Sequence, residues 1–103
     1  MQAFAPSDVT TLPATDVGQT EATFNGSANP GGAAVLTHFD FGTTTAYGTS
    51  TQEAPLPVGT VPALFADATV TGLPPDSTVH FRAVARTDFV TVDGAFLAID
   101  ISV

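Results

Sequence analysis

Apolar and polar positions alternate with a period of two along most of the chain, the spacing of half-buried strands. Between residues 21 and 28, Ala22, Phe24, Gly26 and Ala28 share one face and Thr23, Asn25 and Ser27 the other. Residues 35–41 repeat the pattern, with Val35, Thr37, Phe39 and Phe41 inward and Leu36, His38 and Asp40 outward. In residues 79–87 the inward set is Val79, Phe81, Ala83 and Ala85, and His80, Arg82, Val84 and Arg86 point out. Residues 65–71 give a further strand with Ala66, Ala68 and Val70 inward, which leaves Phe65 on the outward parity. A short first strand over residues 8–12 is expected to end at Pro13, and the segment 90–103 closes with Leu97, Ile99, Ile101 and Val103 in alternation. Residues 43–50 read as a turn with a short edge strand near Tyr47, and residues 52–62, with three prolines, as a loop.

Turn chemistry punctuates these runs. Asn29-Pro30-Gly31-Gly32 places a proline where φ is preset and a glycine where φ turns positive. Gly72-Leu73-Pro74-Pro75-Asp76 breaks the chain again before the strand at Val79. Helical periodicity is nearly absent. The expected architecture is all-β: a seven-stranded antiparallel Greek-key sandwich over residues 8–103, preceded by an arm at residues 1–7 with Phe4 as its large apolar group.

Composition narrows the function. There are ten acidic residues against two arginines and no lysine, a net charge of −8. Such a chain repels phosphate backbones and anionic lipid, so no nucleic-acid partner and no membrane insertion are expected. There is no cysteine, so packing alone holds the fold. Charged residues are only 12% of the chain against a usual quarter, which leaves a weakly charged surface suited to a protein neighbour.

Three blocks in order carry a family resemblance: ATFNGSANPGG at 22–32, FDFGTTTAYG at 39–48 and ATVTGLPPDSTVHFRAVA at 68–85. Together they resemble bacterial fibronectin type III-like modules of the immunoglobulin-like sandwich class. The family's corner tyrosine is replaced by Val79, and its asparagine near the strand end by Thr87. The resemblance implies the fold and no activity.

Chemistry-bearing residues are sparse. His38 and His80, with Asp40, suggest a conceivable metal site; a polar cross-strand cluster, with Asp40 pairing Arg82, is the plainer alternative. Asp88 and Asp93 flank a turn and read as solvated turn formers. No serine sits in a Gly-x-Ser-x-Gly elbow, and no catalytic constellation or cofactor motif is found, so an enzyme is not expected. With no tryptophan and one tyrosine, a carbohydrate platform is poorly supplied. The residues best suited to a protein contact are Phe4, Tyr47, Phe65, Arg82, Arg86, Phe89, Ile101 and Val103. These features suggest a non-enzymatic structural module that packs against copies of itself or a larger shell on a virion, extracellular or cell surface. A phage capsid decoration or tail-surface protein is the concrete expectation; a spacer or adhesion module of a larger secreted bacterial protein is the alternative.

Overall fold

A computed structural model describes residues 6–56, 58–88 and 90–101. The strands are β1 (Ser7–Thr15), β2 (Ala22–Asn29), β3 (Val35–Gly42), β4 (Thr49–Ser50), β5 (Ala54–Leu56), β6 (Ala63–Val70), β7 (Ser77–Arg86), β8 (Thr91–Asp93) and β9 (Leu97–Ile101). Among the described residues there is no helix. The smaller sheet runs β1-β2-β6; in the larger, β3 and β7 form the centre, β4 and β5 pair with β3, and β8 and β9 pair with β7. Every pairing is antiparallel. The two sheets bury their inner faces against each other as a sandwich.

The core is aromatic. Phe24 from β2, Phe39 from β3 and Phe81 from β7 are fully buried, joined by Val79, Val70, Leu73 and Ile101. Phe24 stacks on Phe81 at 4.5 Å between ring centroids, tying the centre of one sheet to the centre of the other. The alternation in β2, β3 and β7 is the pattern expected from sequence. Val84 departs from it, having outward parity but only 1% exposure. It lies between Arg82 and Arg86 on β7 and opposite His38 and Asp93 on the neighbouring strands.

A buried hydroxyl also spans the sheets. β8 pairs with β7 at residues 84–86 and β9 at residues 77–81, so the ladder changes hands near Ala83. There the amide of Ala83 donates to Thr11 Oγ1 at 2.8 Å, and its carbonyl accepts from the amide of Gly94 at 2.8 Å. Both backbone groups are thereby satisfied where the regular ladder lapses.

Several expectations are corrected. β1 does not stop at Pro13; it continues to Thr15, because an edge strand tolerates a residue without an amide hydrogen. Ser7, assigned to the arm, begins β1, and the rest of the arm except Pro6, including Phe4, lies outside the described residues. The loop over 52–62 contains β5, which pairs with β3, and the last segment forms two strands rather than one. Tyr47 sits in a turn at φ 62°, ahead of β4. The facing of β6 reverses in its first half. Ala22 pairs with Val70 but Phe24 with Asp67, so a bulge inserts one residue and switches parity. Phe65 therefore faces inward and Ala66 outward, the opposite of the expectation, and Leu64 faces outward with Ala66.

Candidate functional site

Two outer faces are available for function, and they differ in chemistry. On the larger sheet, β3 and β7 put His38, Asp40, Arg82 and Arg86 on the outward side. Asp40 is the hub. Its Oδ2 accepts from Arg82 Nε at 3.0 Å, and its Oδ1 accepts from Ser50 Oγ at 2.8 Å and lies 3.0 Å from His38 Nε2. Arg82 reaches Asp93 on β8 with Nη1 at 3.2 Å, and the Tyr47 ring lies 4.7 Å from its guanidinium carbon. Arg86 is paired with Glu53, Nη2 to Oε1 at 2.7 Å. Glu53 Oε2 also stands 3.7 Å from His38 Nδ1.

Both arginines of the chain are thus engaged by carboxylates of the same chain. As an anchor for an acidic partner they are already occupied, and the polar ladder works as cross-strand stabilisation linking β3, β4, β7 and β8. Burial alone would raise the Asp40 pKa, but the Ser50 hydroxyl, the Arg82 guanidinium and His38 together outweigh it and hold the carboxyl below its ordinary value. A depressed folded pKa means stability that is present above the unfolded pKa, about 3.9, and lost as pH falls through the folded value. Asp40→Asn is expected to cost about 1–2 kcal/mol at neutral pH. It should also flatten the loss of stability in the acid range, below about pH 4. Denaturation midpoints measured from neutral to acid pH for both proteins check this; parallel curves would show that Asp40 is not the titrating group.

The conceivable His-His-Asp site is not assembled. His80 stands opposite Gly42 and Ala98, away from His38, and packs edge-on against Phe96 at 5.8 Å. Among the described residues no group of three or more His, Asp or Glu side chains is arranged to hold a metal ion.

Of the residues expected to make a protein contact, Tyr47 and Arg82 meet each other, and Arg86 lies on the same strand face. Ile101 is a core residue at 2% exposure, turned inward by the alternation of β9. Phe65 is half-buried, its ring 5.3 Å from Phe39. It fits because residue 26 is glycine: a Cβ there would come within 2.8 Å of the Phe65 ring and 2.9 Å of Ala83 Cβ. Phe89 and Val103 lie outside the described residues.

The outer face of the smaller sheet carries a surface that sequence reasoning missed. Leu12 and Pro13 of β1 and Leu64 and Ala66 of β6 flank Asn25 of β2, forming an open groove of about 560 Å³ with no charged residue in its lining. Asn25 Nδ2 donates to Pro13 O at 2.9 Å and to Thr15 Oγ1 at 3.2 Å, which holds the kinked end of β1 against β2. Leu64 is 78% exposed, and Val58 and Val61, in the loop leading into β6, are exposed as well. The available signal was a leucine and two valines around the start of a strand. Reading it required the parity that the β6 bulge sets.

No family model matches the chain, and no curated protein matches it. Solved structures do. The longer version of the sensor domain of the anti-sigma factor RsgI4 from Pseudobacteroides cellulosolvens aligns over 90% of this chain and 86% of that one, with a TM-score of 0.65 and 16% identity. The solution structure of the same sensor domain aligns over 90% and 73%, with a TM-score of 0.68 and 10% identity. Its shorter version aligns over 97% and 96%, with a TM-score of 0.63. At these identities the likeness is one of fold. It corrects the expectation of a capsid decoration or tail-surface protein, because these aligned structures are sensor domains of an anti-sigma factor and not virion components.

Proposed function

We propose that this chain is a non-enzymatic recognition module of the sensor-domain kind, the input part of a larger signalling protein, and that it binds a protein partner on the outer face of its smaller sheet. The observation that carries the reading is the uncharged groove flanked by Leu12 and Leu64, an apolar surface left open in a chain of net charge −8. The most exposed apolar side chains, Leu64, Val58 and Val61, lie in or beside the smaller sheet and suit a contact, although Val90 and Phe96 are exposed next to the larger sheet, whose arginines pair with its own carboxylates. The alignment with sensor domains over 90% of the chain supports the same reading by analogy of fold. The three sequence blocks support the finer assignment of the sandwich to the fibronectin type III-like kind. Display on an exterior surface accords with that resemblance. A photo-crosslinking side chain placed at position 64 in the producing cell tests the proposal, with position 98 on the opposite sheet as control.

A further inference from the structure

The edges of the two sheets are protected unequally. An exposed edge offers unpaired amides and carbonyls to any extended segment, and proteins blunt such edges with proline, bulges, charge or brevity. The larger sheet is bounded by β4, β5, β8 and β9, of 2, 3, 3 and 5 residues. The β1 edge of the smaller sheet carries Pro13 and two register shifts. β6 is protected only in its second half, where its bulge and its one charged residue, Asp67, lie; it has no proline, pairs only with β2 among the described strands, and keeps an unbroken register over Ala63–Ala66. It also presents Leu64 outward at 78% exposure, beside the groove.

Charge says what can lie along it. The chain has no lysine, and both arginines are on β7 in the other sheet, engaged by Asp40, Asp93 and Glu53. The smaller sheet and the loop that joins β1 to β2 carry Asp8, Asp16, Glu21 and Asp67 and no basic side chain. We propose that β6 is a strand-addition edge that takes an extended segment of a partner protein, apolar at alternate positions and bearing Lys or Arg between them. Backbone pairing along β6 supplies the affinity, the alternate apolar side chains lie beside Leu64 and Ala66, and the basic ones between them, on the opposite face of the added strand, are drawn by the chain's net charge of −8. A second copy of this chain fits poorly, since it brings another −8 to the same edge. The proposal rests on the recognition reading above and adds the mode of binding and the chemistry of the partner.

The test uses the isotope-labelled chain and an octapeptide of alternating valine and lysine, the length of β6. Amide exchange should slow and resonances should shift along Ala63–Asp67. Affinity should fall by about tenfold when prolines interrupt the peptide or when Leu64→Gln removes the apolar contact at constant charge. Replacing the peptide's lysines by glutamate should abolish binding. Because Leu64 is exposed, the variant keeps its fold, which its denaturation midpoint verifies. Equal binding of the proline-interrupted peptide would reduce the association to charge alone and overturn the proposal. So would sedimentation as a dimer that Leu64→Gln breaks, which would make a second copy the occupant. A position-64 adduct in cells with no peptide response on β6 overturns strand addition and leaves the recognition reading standing. A peptide response without any adduct does the reverse.

Discussion

Phe24→Ala should remove about 3–5 kcal/mol of folding stability, a large share of the roughly 5–15 kcal/mol that domains of this size possess. The ring has no exposure, and it touches three others: Phe81 at 4.5 Å, Phe41 at 5.4 Å and Phe39 at 5.8 Å. Two of these partners come from β3 and one from β7, so the cavity would open between the sheets, where β2 cannot collapse inward without breaking its ladders to β1 and β6. There is no cysteine to limit the damage with a disulfide. Denaturant midpoints, with Leu64→Ala as an exposed control near zero, measure the loss. A cost below about 1 kcal/mol would mean that the sheets are not packed through Phe24.

Gly42→Ala is expected to be the next most damaging change, at about 2–3 kcal/mol. An added Cβ at residue 42 would land on the backbone carbonyl of Tyr47, and backbone cannot rotate away as a side chain can. The turn it strikes is already committed: Tyr47 has φ 62°, Gly48 has φ 96°, and the Tyr47 amide closes on Thr44 O at 3.0 Å. Alanine therefore has to push the turn off the end of β3 and carry the Tyr47 ring away from Arg82. The chain has one tyrosine and no tryptophan, so its near-ultraviolet circular dichroism reports on Tyr47 without a second strong chromophore. A lowered midpoint together with a reduced tyrosine signal is expected. An unchanged signal in a folded variant would show that the turn does not rest on Gly42.

Much of this fold was legible because three strands alternate along their length, with Val84 the one departure in β7. Phe24, Phe39 and Phe81 each fall on the parity that buries them, and both sheets are built around those strands. β6 was misread because alternation carries no mark of an inserted residue: the pattern anchored on Val70 no longer holds at Asp67, beyond the bulge. β5 escaped notice because Ala54-Pro55-Leu56 is too short to show a period, and its pairing is imposed by β3. The ladder was half legible. Arg82 and Asp40 share a face by parity, but the partner of Arg86 is Glu53, in a proline-rich stretch that no local rule brings to β7. The groove was hidden for the same reason, since Leu12, Asn25 and Leu64 meet only when three strands distant in sequence align.

On the proposed reading the smaller sheet recognises and the larger sheet stabilises. Site-specific photo-crosslinking in the producing cell tests it most directly, with the reactive side chain at Leu64 in one strain and at Ala98 in another. Both positions are exposed, so neither replacement should disturb folding. A discrete protein adduct from position 64 and none from position 98 is the predicted result. An adduct from position 98 alone would contradict the account and move recognition to the face of the polar ladder.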